Sequence, residues 1–123
     1  MSKKFLLVAD RPDAAWLAAL ERGLQPLGTL SAARPEEASD SPLVADCDVV
    51  IVDALAVRDA EEVVAPLHAA APSVPVVIVT NSPTPQLAKK FFQAGATDYI
   101  RKSLDPETIT ETFSDILKRA LTV

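Results

Sequence analysis

The sequence is short of the residues that build several common sites. Three glycines in 123 residues are few for a glycine-rich phosphate loop, and none is written here, which argues against a nucleotide-binding enzyme. A single cysteine, Cys47, excludes an internal disulfide and offers no metal-binding spacing. That fits a reducing compartment. It precedes an apolar run and reads as half-buried packing. The lone histidine, His68, leaves no partner for a Ser-His pair or a histidine metal site, and reads as a solvated helix-end residue. No apolar run approaches the length that spans a membrane. The opening "MSKKFLLVAD" has two lysines and five apolar residues before an acid, too few for a signal-peptide core. A cytoplasmic protein without membrane contact is therefore expected. Positive charge is also short. The net charge is −5 and the pI about 4.7, so direct binding to nucleic acid is not expected.

What is present suits one compact domain over residues 1–123. The hydrophobic fraction is 49% and the charged fraction 24%, enough to bury a core without staples. The apolar runs are "FLLVA" (5–9), "VVIV" (49–52), "VVIV" (76–79), the weaker "YI" (99–100) and a faint "TLSA" (29–32) after Gly28. The two Val/Ile runs do not alternate with polar residues. Continuous β-branched runs suit strands covered on both faces, as in a parallel sheet.

Helical patterns lie between the runs. "DAAWLAALERGL" spaces Leu17, Leu20 and Leu24 along one face, with Pro12 and Asp13 as start signals. "PQLAKKFFQAG" places Leu87 and Phe91 four apart and ends at Gly95, a C-cap glycine. Phe91 and Phe92 read as core and interface. "DPETITETFSDILKRAL" starts with Asp105 as N-cap and Pro106 at the first helical position, with Ile109, Phe113, Ile116, Leu117 and Ala120 on its apolar face. "PEEASDSPLVA" contains Pro42 and predicts at most a short helix. "DAEEVVAPLHAAA" contains Pro66, which is expected to kink or delay the helix. The order is β-α repeated five times, the pattern of a doubly wound α/β sheet.

In such sheets, sites form at the carboxyl ends of the strands. Asp10, Asp53, Thr80 and Lys102 all fall at or just beyond strand ends. Each has an ordinary explanation alone: Asp10 as a helix cap, Asp53 as a turn residue, Thr80 as a strand-end hydroxyl, Lys102 as a solvated partner of Asp98 or Asp105. Two acids, a hydroxyl and an ammonium on one edge suit phosphoryl transfer to a carboxylate. Asp53 would be the nucleophile. Mg²⁺ takes one or two carboxylates with phosphate oxygen and water, and Asp10 and Asp53 would supply them. Thr80 and Lys102 would hold the remaining phosphoryl oxygens.

The same residues carry a resemblance. "KFLLVADRP", "DVVIVD", "PVVIVT" and "AGATDYIRKS" resemble the receiver domain of two-component response regulators over nearly the whole chain. The resemblance implies a flavodoxin-like (βα)5 three-layer sandwich with sheet order 2-1-3-4-5. It implies Asp53 as phosphoacceptor, Thr80 and Lys102 as phosphate-binding groups and Tyr99 as switch aromatic. Weakly bound Mg²⁺ would be held by Asp10, Asp53 and the backbone carbonyl of Leu55. The implied partner is a sensor histidine kinase or phosphotransfer protein. The face of the fourth helix, last strand and last helix would serve a homodimer or an effector. Such a chain is not an enzyme, beyond catalysing transfer to its own aspartate.

The departures fall around the pocket. Ala9 stands in place of the first acid of the family's acidic pair, whose loss is expected to weaken metal binding. Arg11 puts a guanidinium beside the pocket. Asn81 follows Thr80, where the family has a small residue. Ser103 follows Lys102, where the family has a proline in a bond that is commonly cis. They give substance to an alternative: a degenerate receiver that acts as a phosphorylation-independent docking module.

Overall fold

The computed structural model of the chain describes residues 2–38, 44–54 and 60–121. Five strands, β1 (Lys3–Val8), β2 (Gly28–Ala33), β3 (Val49–Asp53), β4 (Val76–Thr80) and β5 (Asp98–Arg101), form one sheet in the order β2-β1-β3-β4-β5. Every adjacent pair is parallel. Helices α1 (Ala14–Leu24), α2 (Pro35–Ala38), α3 (Ala60–Ala70), α4 (Pro85–Ala94) and α5 (Pro106–Leu121) connect the strands and follow the last. The expected flavodoxin-like sandwich and strand order are both present.

The central strands are continuous β-branched runs because both of their faces are covered. Every residue of β3 and β4 is buried. Val49 and Ile51 pack with Trp16, Leu20 and Leu24 of α1 and Ile109, Phe113 and Ile116 of α5. Val50 and Val52 face the other way, against Ala38 of α2, Val64 and Leu67 of α3 and Phe91 of α4. Full burial of each such side chain stabilises by about 1.5–3 kcal/mol. The edge strands β2 and β5 are only partly buried, and their sequences are correspondingly weak as apolar runs.

Local chemistry sets the helix ends. The Asp13 carboxylate accepts from Trp16 N at 3.0 Å and caps α1. Thr84 caps α4, its hydroxyl accepting from Leu87 N. Asp105 precedes α5, and its Oδ2 accepts the Thr108 hydroxyl at 2.7 Å. That hydrogen bond leads the causes that hold the Asp105 carboxyl below its ordinary value. Helix α3 passes through Pro66 without interruption, where a kink or late start was expected. Pro66 and Glu62 are both exposed, so the Glu62 carbonyl that loses its helical partner stands on the solvent side. The helix expected after Pro35 is the single turn of α2. Among the described residues, no helix is long and apolar enough to cross a membrane.

Gly23 and Gly95 stand where a side chain would collide. A Cβ at Gly23 would lie 2.6 Å from the Ile109 side chain, at the close crossing of α1 and α5. Gly95 ends α4 with φ of 117°, and a Cβ there would also lie 2.7 Å from the His68 ring. Gly95→Ala is therefore expected to destabilise the fold by about 1–2 kcal/mol from backbone strain alone. Urea unfolding would show this as a lower midpoint at unchanged slope; an unchanged midpoint would contradict it.

Candidate acceptor site at the strand ends

Parallel pairing brings the carboxyl ends of β1, β3, β4 and β5 together. Asp53 is the last residue of β3, pairs in register with Val79 and is 0% exposed. Val8 pairs with Val52, so the register continues from Ala9 to a place beside Asp53. Ala9 is buried in the same cluster as Trp16. Thr80 is buried at the end of β4, where its hydroxyl accepts from Ser82 N at 3.3 Å. The N–H of Lys102 donates to the Thr80 carbonyl at 2.9 Å, carrying the β4–β5 ladder one residue past the strand.

From there the Lys102 side chain reaches back across the sheet. Its Nζ lies 2.8 Å from Asp53 Oδ1, with the lysine side chain 8% exposed and the aspartate side chain 0%. Removing one partner of such a buried pair would leave a desolvated charge, at a cost of about 3–5 kcal/mol. Lys102 does not pair with Asp98, whose Oδ1 accepts from Arg119 Nη2 at 2.8 Å. Nor is it needed by Asp105, which caps α5. No described peptide bond is cis, so Lys102–Ser103 is trans, and the lysine nevertheless reaches the acid. Ser103 shapes the loop instead, its Oγ accepting from Asp105 N at 3.1 Å.

The pair opens on a cavity of about 510 Å³ walled by Arg11, Asp13, Trp16, Asn81 and Leu104 besides Asp53 and Lys102. Two carboxylates thus face two cations. Asn81 and Arg11 are exposed at the rim. Asp10 is not part of this wall. It is exposed and lines a neighbouring cleft of about 310 Å³ with Pro12, Arg34 and Glu37. Leu55 lies outside the described residues. Among those described, no group of three His, Cys, Asp or Glu side chains is placed to hold a metal ion.

Tyr99 is half-buried on β5. Its ring stacks on Phe91 of α4 at 5.6 Å, and its hydroxyl accepts from Thr84 N at 3.4 Å. It therefore touches both the start of α4 and that helix's buried face. Phe92 and Leu87, by contrast, are 48% and 38% exposed on α4.

Sequence reasoning did not find Trp16 and gave Asp13 only its capping role. The deepest face of α1 is Trp16-Leu20-Leu24, spaced by four, rather than the face through Leu17, which is half-buried. A sole tryptophan four residues after Pro12 was the available signal. Its contact with Lys102 joins opposite ends of the chain, and no local pattern encodes it.

Comparison with known proteins bears on the family and the fold. The sequence signature of the response regulator receiver domain matches residues 6–114. No curated protein matches the chain by sequence. Among solved structures, a CheY-like response regulator receiver domain protein from Methanospirillum hungatei JF-1 is similar with a TM-score of 0.77 at 21% identity, covering 99% of this chain and 98% of that one. The Vibrio cholerae chemotaxis protein CheY4 is similar with a TM-score of 0.76 at 22% identity, covering 94% and 99%. At such identities the likeness speaks to the fold, and the family rests on the signature over most of the chain. The chain belongs to the response regulator receiver domain family, signalling domains that work with histidine kinases or phosphotransfer proteins and effectors.

Proposed function

We propose that the chain is a phosphorylation-controlled switch with Asp53 as the acceptor. The observation that carries this reading is the buried Asp53–Lys102 pair, at 2.8 Å, opening on a cavity at the strand ends. An Asp53 oxygen would attack the phosphorus of a phosphohistidine on a sensor kinase or phosphotransfer protein. The P–N bond breaks, the imidazole leaves with the electron pair, and an aspartyl-phosphate remains. Lys102 offsets charge on the phosphoryl oxygens, and Thr80 supplies a hydroxyl beside them. The domain acts on its own aspartate and turns over no external substrate. We place it in the cytoplasm, with such a kinase.

Readout would run through Tyr99. Its hydroxyl meets the N-cap of α4 and its ring stacks on Phe91, so a shift of Thr80 and the following loop would reach the α4-β5-α5 face. The exposed Phe92 and Leu87 of α4 offer apolar area for a second copy or an effector.

Receiver domains typically bind Mg²⁺, but the donors present here fit such an ion poorly. The cavity is lined by Arg11 and Lys102 as well as Asp13 and Asp53, Ala9 takes the place of an acid, and Asp10 lines another cleft. Asp53 would be one ligand, and Asp10 another only once its side chain leaves that cleft. The same separation favours the second reading, a receiver that docks partners without phosphorylation.

Two outcomes test these readings. Incubation with acetyl phosphate should add one phosphoryl mass that hydroxylamine removes and that Asp53→Asn abolishes. Asn81→Ala should accelerate the reaction by opening the rim. No gain of mass in the wild type, with a partner still bound at the Tyr99 face, would leave the docking module. Mg²⁺ titration should show weak binding that Ala9→Asp strengthens about 10–100-fold. Tight wild-type binding that Asp10→Ala leaves unchanged would contradict the described donor set.

A further inference from the structure

Trp16 has no part in the chemistry above, yet it touches the group on which that chemistry depends. It sits in the first turn of α1 and is 3% exposed. The Asp13 cap fixes its backbone, with Trp16 N to Asp13 Oδ2 at 3.0 Å. The Lys102 ammonium lies over its ring, 4.5 Å from the centroid, while the same nitrogen is 2.8 Å from Asp53 Oδ1. An aromatic face thus meets the ammonium that the carboxylate also holds.

The surroundings make that contact count. Lys102 is nearly sheltered from water, and cation–π attraction is strongest when desolvated. Ala9, beside Asp53, brings no second negative charge to orient the lysine, and it shares the apolar cluster of Trp16. Ser103 follows Lys102 through a trans bond, so no proline pins the stem of the side chain. A flexible four-carbon stem must therefore be directed by what its tip touches. An aliphatic residue at position 16 would keep the site apolar, though smaller than the indole. It would offer the ammonium no partner.

We propose that Trp16 is a positioning residue whose ring face holds the Lys102 ammonium on Asp53. For its effect on phosphoryl transfer the proposal rests on Asp53 being the acceptor; for the geometry it does not.

The test has two arms on the intact chain. In NMR spectra, the ε-methylene protons of Lys102 should be shifted upfield by the ring current in the wild type. The shift should vanish in Trp16→Leu and persist in part in Trp16→Phe. Ordinary lysine shifts in the wild type would overturn the proposal, whether or not Asp53 accepts a phosphoryl group. In the second arm, Trp16→Leu should slow phosphorylation by acetyl phosphate roughly 2- to 30-fold, the range set by one cation–π contact, with Trp16→Phe recovering part of the rate. In a Lys102→Met background, Trp16→Leu should add little. An equal slowing with and without the lysine would mark Trp16 as packing alone and overturn the proposal. A wild type that gains no phosphoryl mass would sink the acceptor reading, while the ring-current arm would still decide the contact.

Discussion

A fully buried carboxylate at the end of a central strand loses hydration on folding and is stabilised by a cation brought to it. Asp53 obtains that cation from Lys102, far along the chain and two strands away in the sheet. Much of the architecture follows from this. β4 must lie between β3 and β5, so that the lysine just past β5 reaches across Thr80 to the acid. Helix α1 must start where Asp13 caps it, so that Trp16 stands against the ammonium. The loop after Lys102 must turn into α5, which the Ser103 and Asp105 side chains arrange.

The same constraint shapes the chemistry. In the proposed reaction, a carboxylate already matched to an ammonium would meet the incoming phosphoryl group with one positive charge in place. Arg11 at the rim adds a second, and Asp13 offsets it. The cavity lining thus carries two acidic and two basic residues. Ala9, next to this site, carries no charge and shares the apolar core cluster of Trp16.

Much of the fold was legible in the residues. The runs Val49–Val52 and Val76–Val79 name the doubly covered strands, because β-branched side chains without alternation suit a sheet buried on both faces. Asp105-Pro106 and Gly95 mark helix ends through backbone chemistry that acts locally. Pro66 sits inside α3; its cost depends on whether the freed carbonyl faces solvent, and that is a tertiary fact. Within the site, Asp53, Thr80 and Lys102 were readable as strand-end residues, and the structure brings Asp53 and Lys102 into contact. Asp10 was read as their neighbour because it ends the first apolar run. It stands two residues beyond β1, in a bend, exposed and lining another cleft. Trp16 was missed for a related reason: its role lies in a contact between the first helix and the last loop.

The central claim is that Asp53 and Lys102 act as one buried unit, and a double-mutant cycle on folding stability tests it most directly. Asp53→Asn and Lys102→Met should each deprive the other group of its counter-charge and lower stability by about 3–5 kcal/mol. The double variant should lose far less than the sum of the two, because each removes the charge the other strands. Strictly additive losses would contradict the account, since they would mean that the carboxylate and the ammonium do not depend on one another.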